Sequence, residues 1–231
     1  MQIAFVIYDG FTGLDLVGPY DVIASWPGAK ARFLATEQRP VVADNGLIVM
    51  PTDTPESLPH PDLVVVPGSS RPFGPLQNQA LLDWIKQAAQ SARWMASVCT
   101  GASIYAAAGL LTHRRATTHW AFRDVLASMG VDVCTDRVVI DEPFISGAGV
   151  SAGIDMALTL TARVFGDDEA RRIQLGIEYD PRPPFDAGSP EKAGPEIVQS
   201  ILERLAAAAD APELVQASLE RLAAGANVPG V

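Results

Sequence analysis

The 231-residue sequence predicts an α/β fold with a mainly parallel central sheet and helices on both faces. Three observations carry that expectation. Short apolar runs that read as strands buried on both faces recur along the chain, among them IAFVIY (3–8), DLVVVPG (62–68) and RWMASVC (93–99). Stretches of helical periodicity separate them. The chain is long enough for a sizeable core, and α/β domains of roughly 200–250 residues are common. One domain over 1–231 is therefore expected, with a helical C-terminal segment over 195–225.

The elements follow in order. IAFVIY is rich in β-branched and aromatic residues and stops at the turn DGFTGLD. GPYDVIASW reads as a helix with Pro19 suited to its first position. ARFLAT (31–36) is a second strand. VVADNGLIVMP places Asn45-Gly46 between two apolar runs, a hairpin signal. After strand 62–68, Leu81, Leu82, Trp84, Ile85, Ala88 and Ala89 share a helical face within 78–92. Strand 93–99 leads into the Ala-rich helix GASIYAAAGLL. HWAFRDVLASMG is amphipathic, with Gly130 as C-cap. RVVIDEPFISG predicts two short strands around Glu142-Pro143. SAGIDMALTLTARVFG is a helix with Ser151 as N-cap. DDEARRIQLGIEY is another, with two Asp in its first turn. Residues 180–195 are Pro/Gly-rich loop. One or two amphipathic helices complete the chain.

Charge narrows the function. Lys and Arg number 17 against 27 Asp and Glu, a net −10. So acidic a chain gains little from counterion release on nucleic acid and is repelled by anionic membrane surfaces. With 48% apolar residues, disorder is not expected either. Two cysteines, Cys99 and Cys134, are too few for a disulfide framework or a zinc site and suit a reducing cytosol. The start MQIAFVIYDG lacks the basic region and cleavage site of a signal peptide, and no apolar stretch reaches the ~18 residues of a membrane span. A cytoplasmic location follows as an expectation. With no metal-ligand spacing, P-loop or GxGxxG, neither metal nor cofactor is expected.

The segment WMASVCTGAS carries the chemistry. An apolar strand ends at Val98, Cys99 follows, then Thr100-Gly101 and a helix. A sharp turn there lifts the side chain to the carboxyl end of the sheet, where open α/β sheets place their sites. A helix N-terminus beside the sulfur favours thiolate over thiol. The same pattern also accommodates Cys99 as a small core residue. Cys134, in GVDVCTD, has no such context and reads as structural.

SVCTGASIYAAAGLLTHRRATTHWAF resembles the elbow region of the ThiJ/PfpI superfamily, relatives of class I glutamine amidotransferases. GLDLVGP, VVVPGSS, AGIDMAL and EYDPRPPFDAGSP extend the resemblance over nearly the whole chain. Within the superfamily the sequence is most similar to isocyanide hydratases. The resemblance implies a flavodoxin-like three-layer sandwich, a homodimer and a small-molecule substrate, with no cofactor. It makes Cys99 the nucleophile, Asp15 its acid/base partner and Thr100 a hydroxyl beside both. Backbone N–H groups of Gly68, Ser69 and Thr100 are then expected to stabilise developing charge. Where relatives often have two glycines, this chain has Gly68-Ser69. His119 and Trp120, in ATTHW, are expected at the second shell or in the pocket.

Other readings stay open from sequence. A glyoxalase- or deglycase-like activity on reactive carbonyls is one, although such relatives carry Glu where this chain has Asp15. A cysteine-based sensor is another, since regulators of the AraC type carry a similar domain. The apolar faces of the C-terminal helices (Ile197, Val198, Ile201, Leu202, Leu205, then Leu214, Val215, Leu219, Leu222) are suited to a dimer interface or to their own subunit.

Overall fold

The computed structural model describes residues 1–208. Strand β1 (Gln2–Val6) leads through a turn into helix α1 (Gly13–Ile23), then β2 (Lys30–Leu34), the hairpin β3 (Val41–Val42) and β4 (Ile48–Val49), and β5 (Leu63–Val66). Helix α2 (Gln79–Ala88), β6 (Trp94–Val98), α3 (Gly101–Ala107), β7 (Arg115–Ala116), α4 (Arg123–Ser128) and β8 (Asp132–Val133) follow. The chain continues through β9 (Val138–Asp141), β10 (Phe144–Gly147), α5 (Ala152–Phe165), α6 (Asp167–Gly176), α7 (Pro190–Ala193) and α8 (Pro195–Ala208).

Six strands form the central sheet in the order β2-β1-β5-β6-β10-β9. All neighbours are parallel except the β10–β9 pair at one edge. The central runs are buried on both faces, Val64, Val65 and Val66 completely, as continuous apolar strands require. Helices α1 and α5 pack together on one face, α2 and α3 on the other. This is the flavodoxin-like sandwich. After β2 the chain returns to the opposite side of β1, so the strand order reverses between β1 and β5. The crevice at the carboxyl ends of these strands is where doubly wound sheets accept ligands.

Several boundaries differ from the sequence expectation. Helix α1 begins six residues before Pro19, so Pro19 lies inside it; the turn after β1 feeds directly into the helix and puts Asp15 in its first turn. Ser151 occupies the N-cap of α5, but its side chain does not cap. Instead Ser151 Oγ accepts from Arg137 Nη2 at 3.1 Å. The stretch 119–130 opens as a 3-10 turn at Trp120–Phe122 before becoming α4, and the 180–195 loop contains the short helix α7. On α8, Leu202 is buried against Phe122, and Val198 and Leu205 pack on the same cluster, which includes Phe73 and Trp120. The apolar side of α8 thus covers its own chain. The remainder of the expected C-terminal helix, with Leu214, Val215, Leu219 and Leu222, lies outside the described residues. Among the described residues no helix is long and apolar enough to cross a membrane.

Candidate active site

Three chain segments meet at the carboxyl edge of the sheet: the start of α1, the turn after β5 and the turn after β6. Cys99 follows β6 with φ 56°, in the left-handed region that costs a non-glycine residue about 1–3 kcal/mol. Neighbours hold it there. Cys99 N–H donates to the Gly147 carbonyl at 3.0 Å, and the Thr118 hydroxyl donates to the Cys99 carbonyl at 2.9 Å. Such strain, held from both sides, is how an elbow presents its side chain above the sheet.

The glycines of the two turns are needed for close approach. A Cβ on Gly101 would lie 2.3 Å from the Val66 carbonyl oxygen, and one on Gly68 would lie 2.6 Å from Thr100 N and 2.8 Å from Cys99 Cβ. The β5 turn therefore presses against the elbow. Tyr8 Oη fixes it from below by donating to the Pro67 carbonyl at 2.7 Å. Ser69 fits where relatives often have a second glycine: its hydroxyl donates to the Gly10 carbonyl at 2.6 Å and accepts from Arg71 N–H at 2.9 Å.

Asp15 is fully buried. Its Oδ2 accepts from Gly68 N–H at 2.8 Å, while Oδ1 has no hydrogen-bond partner. Burial pushes its pKa up to about 8, against the bonds from Gly68 and Cys99 that favour the anion. The carboxyl therefore holds a proton at neutral pH. Cys99, 5% exposed, has its thiol pKa raised by burial and then by the Asp15 charge, with Thr100 N–H opposing both. The pair is coupled, and its lowest state is a neutral acid beside a neutral thiol.

The turn N–H groups are not free for an oxyanion. Gly68 N–H is committed to Asp15, and Ser69 N–H donates to Thr100 Oγ1 at 2.8 Å. Thr100 Oγ1 also donates to the Ser69 carbonyl at 3.0 Å. In this arrangement the Gly68 and Ser69 N–H groups position Asp15 and Thr100. Thr100 N–H is the backbone donor that faces the sulfur.

His119 is a neutral ring at pH 7. Burial, then the Arg123 charge, depresses its pKa to about 4. Its Nδ1 accepts from Ala121 N–H at 3.3 Å, which assigns the ring proton to Nε2. His119 and Trp120, ring centroids 5.4 Å apart, line a cleft of about 720 Å³ with Leu14, Arg123, Gly149 and Ser189. The cleft adjoins the site through the chain itself. Leu14 precedes Asp15, His119 follows the Thr118 that holds Cys99, and lining residue Ala148 follows the Gly147 that pairs with it. A separate hollow of about 560 Å³ between Trp26, Trp94 and Arg163 lies at the opposite end of the sheet, away from this chemistry.

Asp155, unusual within an apolar helix, accepts from Arg137 Nε at 2.7 Å and from Tyr179 Oη at 3.2 Å. It ties the loop after α6 to β9. Cys134 lies outside the cluster around Cys99 and is half-buried. Thr118 and Tyr8 were not singled out in the sequence. The threonines of ATTHW were the available signal for Thr118; Tyr8, in a strand-end apolar run, offered none. Among the described residues no His, Cys, Asp and Glu side chains gather into a group that could hold a metal ion.

The sequence profile of the DJ-1/PfpI family matches residues 1–163. The chain is 44% identical over 207 residues to an isonitrile hydratase of Pseudomonas putida, covering 89% of this chain and 90% of that protein. Among solved structures, a ThiJ/PfpI family protein from Pseudomonas syringae superposes with a TM-score of 0.86 at 36% identity, over 94% of this chain and 88% of that one. Drosophila melanogaster DJ-1beta, at 17% identity, shares the fold with a TM-score of 0.69 over 77% of this chain and 97% of its own.

Proposed function

The chain belongs to the DJ-1/PfpI family, and from that premise we propose that it is a cysteine-dependent hydratase converting organic isocyanides to N-substituted formamides. The substrate class comes from its similarity to the isonitrile hydratase of P. putida. The observation that carries the mechanism is the buried Asp15 carboxyl, its pKa pushed up by burial, beside an elbow thiol.

The terminal carbon of an isocyanide first takes a proton and then becomes an electrophile. Asp15 gives its proton to that carbon and accepts the thiol proton of Cys99, while the sulfur forms a bond to the carbon. The product is a thioimidate, R–N=CH–S–Cys99, with Asp15 protonated again. Water then adds to the same carbon: Asp15 protonates the nitrogen and takes a proton from the water. The tetrahedral adduct collapses to R–NH–CHO, and Cys99 leaves with the hydroxyl proton. Atoms balance as R–NC plus H₂O. Thr100 N–H stabilises charge on sulfur as it attacks and departs. No residue besides Cys99 and Asp15 exchanges a proton.

The test is to incubate purified protein with cyclohexyl isocyanide and follow N-cyclohexylformamide. Turnover is expected, with none above background in Cys99→Ser. Absence of product across several neutral isocyanides refutes the reading.

We also propose that the chain acts as a homodimer, but not through α8. The outer side of α1 exposes Leu14 (46%) and Val17, and the adjoining hairpin exposes Val42, Leu47, Ile48 (65%) and Met50 (58%). The two surfaces meet, since Leu47 Cδ2 approaches the Gly13 position to 3.5 Å from where a Cβ would be. A contiguous apolar face of this kind suits a self-complementary two-fold contact.

A further inference from the structure

The cleft beside the site is unevenly equipped. Neutral His119 leaves an Nε2–H donor. Arg123 lines the same cleft. Its Nε is buried without any hydrogen-bond partner, and Nη2 reaches a neutral acceptor, the Thr135 carbonyl, at a long 3.4 Å. A buried guanidinium N–H without an acceptor costs more free energy than a neutral donor does. The buried face of α4 itself is supplied by Leu126.

The other charges around the cleft leave Arg123 available. Arg137 is neutralised by Asp155 at 2.7 Å and held by Ser151 at 3.1 Å. Glu191, on α7, lines the same cleft; its main partner is the Ser189 side chain, and its charge acts on Arg123 without a direct ion pair. Trp120 supplies an apolar wall. The cleft thus offers a guanidinium fork, a neutral N–H and an aromatic surface.

We propose that the preferred substrates are isocyanides carrying a carboxylate, with the anion bound by Arg123 and His119 Nε2–H and the isocyano group directed to Cys99. This rests on the hydratase reading and specifies its substrate. A carboxylate is the anion that a guanidinium N–H binds with charge assistance. Glu191 in the same cleft offsets part of the Arg123 charge, which disfavours a doubly charged phosphate.

The experiment compares a matched pair, an ω-isocyano carboxylate and its methyl ester, in the natural protein, Arg123→Gln and Arg123→Lys. The expected ratio of kcat/KM, carboxylate over ester, is about tenfold or more in the natural protein, the scale of one charge-assisted contact. It falls to about one in Arg123→Gln and is intermediate in Arg123→Lys. KM for the carboxylate, and not for the ester, rises with added salt. If the ester is hydrated but the carboxylate has no advantage, or its advantage survives in Arg123→Gln, the proposal is overturned and the hydratase reading stands. If neither substrate yields formamide, both fall together.

Discussion

Asp15→Asn separates the cost of the site from its chemistry. In the unfolded chain the carboxyl ionises near 3.8, and in the fold near 8. The group's folded pKa is raised, so its contribution favours folding most below pH 3.8 and is lost progressively as pH rises towards 8. At 1.36 kcal/mol per pH unit, the interval from 3.8 to 7 amounts to about 4 kcal/mol of stability forgone at pH 7. Asn carries no such titration, and its side-chain oxygen can still accept from Gly68 N–H. Its amide group, however, occupies the place of the unpartnered Oδ1 and costs about 1–3 kcal/mol as a buried donor. The variant is therefore less stable than the natural protein at pH 4, equal to it at a pH between about 4.5 and 6, and more stable by about 1–3 kcal/mol at pH 7. Urea unfolding midpoints of both proteins at pH 4.5, 6 and 7.5 measure the difference, in which every other titrating group cancels. A difference that stays constant across that range refutes the argument, because Asp15 would then ionise alike in both states. Formamide production by the variant should fall by about 10²–10⁴, the scale of a lost acid/base, although the fold persists.

Two other substitutions test the frame around the site. Gly101→Ala sets a methyl 2.3 Å from the Val66 carbonyl oxygen, and the backbone must move, so a loss of about 3 kcal/mol is expected in thermal or urea unfolding; a loss under about 0.5 kcal/mol would falsify the close approach. Ile48→Glu places a charge in the exposed apolar face and should convert a dimer into a monomer in sedimentation velocity at micromolar concentration. A natural chain that is already monomeric there, or a variant that remains dimeric, removes the hairpin from the interface.

The sheet was legible because its strands are continuous apolar runs with Gly or Pro at their ends, and two-faced burial leaves no other reading for VVV at 64–66. The Asn45-Gly46 hairpin followed from turn chemistry, with Gly46 at φ +89°. The start of α1 was misplaced because Pro19 is a strong local signal, while the true start at Gly13 is set by tertiary bonds. Thr12 N–H donates to the Gly68 carbonyl at 2.8 Å, and Gly68 N–H returns to Asp15. For the same reason the N–H groups of Gly68 and Ser69 could be named but not assigned. Which acceptor they face depends on residues 53 and 31 positions away in sequence. Arg123 was invisible, because an arginine opening an amphipathic helix looks like ordinary surface until the cleft beside it is seen.

The charge state of the pair fits the substrate proposed for it. A Cys–His arrangement prepares a thiolate–imidazolium ion pair before substrate arrives, which suits an electrophilic carbonyl. Here His119 is held neutral, with Nδ1 occupied by Ala121 N–H, and the partner of Cys99 is a buried acid that keeps its proton. Burying an ion pair at this depth is costly, whereas a neutral acid and a neutral thiol are tolerated. An isocyanide needs no preformed thiolate. Its carbon requires a proton and a sulfur together, and the neutral pair can deliver both without creating net charge in a buried site. Burial that would handicap a carbonyl-directed nucleophile therefore suits a reagent that adds S–H across one carbon. On the alkaline side the same logic predicts loss of activity as the pair gives up its first proton, since a carboxylate at Asp15 has nothing to donate and its charge opposes the thiolate that attack requires.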